Sequence, residues 1–171
     1  MNGKLRTGVL TALLAIALAA AGCSRSSGDA TLRLALQTEP TTLDPAYSVD
    51  FSSGRIASLI HSNLVAFDPD ARVVPDLARS WEILDEGRRY VFHLGRARFS
   101  KGRSVAASDV VYSVRRILDP ETVSPRWWLL KPLKGAAAFH GGGSWNGEAV
   151  QAIDDSTVVM RLEYPVAHFL G

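Results

Sequence analysis

Residues 81–94 constrain the chain most. Trp81-Glu82-Ile83-Leu84 and Tyr90-Val91-Phe92-His93-Leu94 flank the polar connection Asp85-Glu86-Gly87-Arg88. A period of two is the signature of a strand. A short connection holding Gly, which accepts positive φ, closes two such strands into an antiparallel hairpin. Across one surface Trp81 and Ile83 then meet Tyr90, Phe92 and Leu94. A chain with this hairpin at its centre must build an antiparallel sheet and cover its aromatic face, and Trp81 is expected in that core.

Two stretches can supply the cover. Ile56, Leu59, Ile60, Asn63 and Leu64 fall at helical spacing over Gly54–Leu64. Val110, Val111, Val114, Ile117 and Leu118 do the same over Ser108–Leu118, which Asp119-Pro120 ends. Thr31–Gln37 places Leu32, Leu34 and Leu36 on one face and predicts a half-buried strand. The loop from Glu39 to Pro45 follows, because two prolines so close together continue neither ladder nor helix. Leu64–Phe67 predicts a short strand closed by Asp68-Pro69-Asp70. Trp127–Leu133 is an apolar stretch broken by Pro132, and Gly141-Gly142-Gly143-Ser144 is a loop. Val150–Ile153 and Thr157–Leu162 predict a last hairpin about Asp154-Asp155-Ser156. Strands, hairpins and helices mix without βαβ alternation, so the fold class is mixed α and β.

The first 23 residues stand apart. Lys4 and Arg6 precede the apolar run Val9–Ala21, and Gly22-Cys23 follows. A cationic start, a short apolar stretch and small residues before a break make an export signal. As a helix the run reaches only about 20 Å, short of a hydrocarbon core of about 30 Å. Residues 1–22 therefore read as a signal peptide, 23–30 as a tether, and 31–171 as the folded part. With Lys4 and Arg6 set aside, the 19 basic residues fall to 17, against 17 acidic ones. The formal charge of +2 belongs to the export signal, and no nucleic-acid partner is expected. A single cysteine excludes an internal disulfide framework and a cysteine-based zinc site.

Catalytic signals are absent from the pattern. His61, His93, His140 and His168 lack short ligand spacing, and His61 reads as a hydrogen-bonded surface or boundary histidine. Gly142-Gly143-Ser144-Trp145-Asn146 misses the nucleophile elbow at its last position. Gly141–Gly147 has no strand-to-helix context for a dinucleotide. Asp154-Asp155 is explained by turn chemistry, and Arg88-Arg89 by a solvated hairpin tip. No enzyme activity, catalytic residue, metal or cofactor is expected.

Several stretches taken in order resemble the extracellular solute-binding proteins of family 5, the peptide, dipeptide and nickel receptors of ABC importers. They begin with Leu32-Arg33-Leu34-Ala35-Leu36 and Glu39-Pro40-Thr41-Thr42-Leu43-Asp44-Pro45. Leu64-Val65-Ala66-Phe67-Asp68-Pro69-Asp70 and Val74-Pro75-Asp76-Leu77-Ala78-Arg79-Ser80-Trp81-Glu82 come next, then Tyr90-Val91-Phe92-His93-Leu94. Phe99-Ser100-Lys101-Gly102 stands where the family more often has Phe-His-Asp-Gly. Ala107-Ser108-Asp109-Val110-Val111-Tyr112-Ser113-Val114 follows, with Ala106 in place of the usual capping Thr, so that the helix either starts less tightly or is capped by Ser108. Val150-Gln151-Ala152-Ile153-Asp154-Asp155-Ser156-Thr157-Val158 closes the series. Separately, Ala20-Ala21-Gly22-Cys23 resembles the bacterial lipobox, with Ala20 where Leu is usual; this implies lipidation at Cys23.

The resemblance implies a type II periplasmic-binding-protein-like fold, of which 171 residues hold one partial lobe. It implies a substrate-binding lipoprotein of an ABC importer, a monomer. Such a protein captures peptides or similar small solutes outside the cytoplasmic membrane and delivers them to permease subunits. A lipid anchor would hold it at the outer face of that membrane or in the periplasm. The residues implied to meet ligand are Glu39, in the loop facing the cleft, Tyr47 in the same region, and Trp127 and Trp128. A small secreted lipoprotein acting as an interaction module, without a ligand cleft, is the alternative.

Overall fold

The computed structural model describes residues 31–170; the export segment and Cys23 lie outside the described residues. The chain divides into two units, 1–35 and 36–171. The first, where described, has no regular secondary structure. The second contains α1 (Phe51–Ile60), β1 (Val65–Phe67), β2 (Val73–Pro75), β3 (Ala78–Leu84) and β4 (Arg89–Leu94). It continues with α2 (Ala107–Leu118), α3 (Ala136–His140), β5 (Val150–Asp154) and β6 (Thr157–Arg161). A left-handed turn covers Asp85–Gly87, and a single 3-10 turn covers Trp127–Leu130.

The central hairpin forms with the expected facing. Trp81 pairs with Phe92 and Ile83 with Tyr90. Strand β6 then adds to β4, with Tyr90 opposite Met160 and Phe92 opposite Val158, and β5 adds to β6. The result is one antiparallel sheet in the order β3-β4-β6-β5. Central β4 is flanked on both edges, so Tyr90, Phe92 and Leu94 are buried in strict alternation. Helix α2 covers that face with Val114 and Leu118, and Phe92, Leu118, Leu133 and Val158 are the fully enclosed centre. Each such side chain stabilises the fold by about 1.5–3 kcal/mol relative to exposure. Trp81 packs on this core but is only half-buried, because β3 is an edge strand.

The hairpin turn needs more positive φ than its one glycine. Asp85, Glu86 and Gly87 lie at φ 52°, 56° and 85°. Asp and Gly tolerate that region better than most residues. Asp85 is also held by Arg89 at 2.8 Å.

Three local expectations are corrected. Thr31–Gln37 forms no strand, and Leu32 and Leu34 lie exposed. Alternation makes a strand only where a ladder partner exists, and none pairs with it among the described residues. The first helix runs over Phe51–Ile60 rather than Gly54–Leu64, and its buried side is Ser52, Ser53 and Ala57, while Leu59 is 54% exposed. Asp50 sets its start by accepting from the Ser53 amide at 2.8 Å. The serine face is buried because the preceding loop covers it, with the amides of Thr41 and Thr42 donating to Ser53 Oγ. Helix α2 begins one residue earlier than expected, and Ser108 does not cap it. The Asp109 carboxylate instead accepts from the Ala106 amide at 2.9 Å, completing half of a capping box. Strand β2 and helix α3 are found where the sequence reading placed no element.

Candidate functional site

The loop between Thr38 and Asp50 frames the site, and it is strapped to the far end of α2. Asp44 organises it locally: its Oδ1 accepts from the Ala46 amide at 3.0 Å. Arg116 then forks onto both Asp44 oxygens. Tyr47 Oη donates to the Thr122 carbonyl at 2.7 Å, and Ser124 Oγ to the Ala46 carbonyl at 2.6 Å. Arg126 Nη1 donates to the Ser48 carbonyl at 2.6 Å. Four successive tie points thus hold two segments more than seventy residues apart in sequence. Hydrogen bonds from Arg116, ahead of every other cause, hold the Asp44 carboxyl below its ordinary range. Asp50 is lowered to about 2, first by bonds from Ser53 and then from Thr41.

A depression of about 320 Å³ opens between this loop, α1 and the turn after Ser124. Ile117, Leu129, Leu130 and Ala57 supply apolar wall, and Arg126, His61 and Ser48 supply polar groups. Ser48 is 3% exposed, and its Oγ has no hydrogen-bond partner among the described residues. His61, as expected, is exposed, with its Nε2 3.2 Å from the Leu43 carbonyl. A wall of this kind can receive an apolar group carrying one or two hydrogen-bonding atoms. Among the described residues no group of three His, Cys, Asp or Glu side chains is placed to hold a metal ion.

The four residues named from the sequence are distributed around this region. Glu39 is exposed and makes no side-chain hydrogen bond or ion pair to a described residue; the hydroxyl pair Thr38–Ser52 at 2.8 Å pins its loop. Tyr47 is 38% exposed, its hydroxyl bonded to Thr122 and the Arg116 guanidinium 6.0 Å from its ring centre. Trp127 stacks face to face on His140, centroids 4.0 Å apart at 15°, and the His140 ring meets the Leu118 carbonyl. Trp128 projects outward at 61% exposure. The strap therefore brings the segment of Tyr47 to the segment of the tryptophans, whereas Glu39 sits at the other end of its loop. Ser48, Ser124 and Arg126 escaped the sequence reading, since nothing local marks a bond spanning 78 residues.

Comparison with known proteins decides the family. The profile described as "Bacterial extracellular solute-binding proteins, family 5 Middle" matches residues 72–171, more than half of the chain. The chain belongs to that family. The probable deoxycholate-binding periplasmic protein YgiS of Escherichia coli (strain K12) is 35% identical over 136 residues, 77% of this chain and 25% of the relative. The oligopeptide-binding protein OppA of Bacillus subtilis (strain 168) is 31% identical, covering 86% of this chain and 28% of its own length. In three dimensions the murein tripeptide binding protein MppA of Escherichia coli aligns with a TM-score of 0.75 at 29% identity, over 79% of this chain and 27% of that one. OppA of Burkholderia pseudomallei aligns at 0.73 and 32% identity, covering 78% and 27%.

This family 5 chain is thus mixed α and β with the periplasmic binding-protein fold, and it spans about a quarter of the length of the relatives it matches. It holds one partial lobe. The ordered series of stretches from Leu32 to Val158, most of it inside the matched region, made the family legible from the residues.

Proposed function

We propose that this chain is part of a lipid-anchored substrate-binding protein of an ABC importer, one that captures peptides or similar small solutes outside the cytoplasmic membrane and delivers them to the permease. The observation that carries the reading is the family match over residues 72–171, with relatives named for oligopeptide and murein tripeptide binding. Its work is capture without turnover: solute favours a closed form, and the closed form is what the permease receives.

Glu39, exposed on its loop, is the group to meet a solute's main chain or charge. Tyr47 borders the same region. Of the adjacent tryptophans, Trp128 is exposed and offers a flat apolar wall, while Trp127, stacked on His140, supports it. Cys23 carries the anchor, which keeps the protein near its permease and raises the local concentration.

A thermal-shift screen with peptides of graded length tests the binding. Ligand at about 100 times its dissociation constant stabilises by about 2.7 kcal/mol, so a saturable rise in Tm with one peptide class is expected. Failure of every peptide in a broad panel would overturn the peptide assignment. Incorporation of labelled palmitate in a bacterial host, lost in Cys23→Ser, tests the anchor; labelling that persists in the variant refutes it.

A further inference from the structure

From Gly87 to Ser108 the chain carries Arg88, Arg89, Arg96, Arg98, Lys101 and Arg103 and no acidic residue, although charges after the export segment balance. The structure divides this run. Arg88 and Arg89 are answered at the β3–β4 turn by Glu86 and Asp85. The other four cations stand on a separate, fully built hairpin between β4 and α2.

Its root is clamped to the β5–β6 turn: the Leu94 amide donates to the Ser156 carbonyl at 2.7 Å, and the Ala107 amide to the Asp155 carbonyl at 2.9 Å. Above this the Val105 amide meets the Ala97 carbonyl and the Phe99 amide the Arg103 carbonyl. The tip closes with the Gly102 amide on the Phe99 carbonyl at 2.7 Å, Gly102 taking φ 90°. Such a hairpin holds its side chains in place. Phe99 is 43% exposed there, one ring face covered by the Arg103 guanidinium at 4.4 Å. Arg103 alone finds a carboxylate, Asp109. Arg98 bonds the Gly102 carbonyl, and exposed Arg96 and Lys101 form no ion pair among the described residues.

A cluster of cations alone attracts any polyanion. An aromatic ring offered at the same tip distinguishes a bilayer, whose interface accepts the ring while its phosphates meet the cations. We propose that the 95–104 hairpin is a docking surface for anionic membrane lipid, with Phe99 entering the interface and Arg96, Arg98 and Lys101 meeting headgroup phosphates. The proposal rests on the exported, anchored reading only for its setting: the anchor keeps the tip beside a membrane, and the tip orients the lobe on it.

The test uses the full chain carrying Cys23→Ser, so that no acyl chain is attached and the export segment is common to all variants. Sedimentation compares vesicles of phosphatidylcholine with vesicles that also hold about 30% phosphatidylglycerol, an anionic surface of the kind that attracts basic segments. Tighter binding to the anionic vesicles, weakening with salt, is expected. Arg96→Gln with Lys101→Gln, neither of which touches a side-chain partner, is expected to weaken it about 30-fold, the ratio that about 1 kcal/mol per cation gives. Phe99→Ala is expected to weaken it severalfold and leave the salt dependence unchanged. Indifference to phosphatidylglycerol, or a double variant that binds as tightly as its parent, overturns the proposal. So does equal affinity for single-stranded DNA with Phe99→Ala silent on both, which would make the tip a general polyanion site. Because the protein tested bears no lipid, these outcomes are independent of palmitate labelling at Cys23.

Discussion

Arg116 and Asp44 are 72 residues apart and form a two-pronged ion pair, Nη1 to Oδ1 at 2.9 Å and Nη2 to Oδ2 at 2.5 Å. It joins the last turn of the second helix to the loop that begins the site. About a third of each side chain remains exposed, so solvent screens the pair and its worth is below that of a buried one.

Replacing Arg116 with Gln is accordingly expected to cost about 1 kcal/mol in urea unfolding, and Arg116→Lys to recover less than half, because an ammonium cannot fork onto both oxygens. The pH dependence has a definite sign. The Asp44 carboxyl is lowered in the folded protein from 3.8, so its contribution is present above that value and lost as pH falls through the folded one. The gap between parent and Arg116→Gln should hold steady at neutral pH and close in acid below about pH 4. A gap that widens on acidification would show that Arg116 acts by another route.

Asp50 offers a second acid-sensitive point. Its carboxylate accepts from the Ser53 amide at 2.8 Å and the Thr41 hydroxyl at 2.7 Å, and its pKa falls from 3.8 to about 2. The cap is therefore fully effective above 3.8 and is released between that value and about 2. Amide exchange at Ser53, followed by NMR, should accelerate in Asp50→Ala at neutral pH. In the parent, the carboxyl should titrate near 2; an ordinary midpoint would exclude the cap.

Two buried serines on the same strap should respond oppositely. Ser124 Oγ donates to the Ala46 carbonyl and accepts from the Arg126 amide, so Ser124→Ala strands both and should cost about 1–3 kcal/mol. Ser48 Oγ is buried without a partner among the described residues, so Ser48→Ala should be neutral or stabilising by up to about 1 kcal/mol. Chemical denaturation of the two variants side by side decides it, and equal losses would contradict the bonding described.

The adjacent tryptophans should separate stability from binding. Trp127→Ala removes the stack on His140 and is expected to destabilise by about 1–3 kcal/mol. Trp128→Ala should leave unfolding nearly unchanged and weaken the affinity for a peptide ligand on the order of tenfold, as loss of an exposed aromatic wall would. Calorimetric titration after a positive thermal-shift result is the measurement. An unaltered affinity in Trp128→Ala removes that residue from the site.

Much of the fold was legible where one element's pattern implies its own partner. The hairpin about Asp85–Gly87, the last hairpin and the second helix all follow from alternation, turn residues and helical spacing read locally. Those stretches carried part of the family resemblance, together with the motifs over 32–45, 64–70 and 99–102. Legibility ended where the partner is remote. Leu32 and Leu34 alternate as a strand would, yet have no ladder to join among the described residues. In the first helix Leu59 and Ile60 look like the buried stripe, but loop amides bonded to Ser53 bury the opposite side.

The site divides in the same way. Glu39, Tyr47, Trp127 and Trp128 were singled out by the family resemblance. Which tryptophan is free depended on His140, a residue on a short helix that no periodicity announces. Where Tyr47 lies depended on Arg116, Thr122, Ser124 and Arg126 reaching back across the fold. By itself the sequence determined an antiparallel sheet covered by a helix, because backbone periodicity and turn chemistry act over a few residues, and its ordered motifs carried the resemblance to the family. Only the tertiary structure decided which faces are buried and which side chains remain free, because those are set by hydrogen bonds and packing between segments that no local pattern connects.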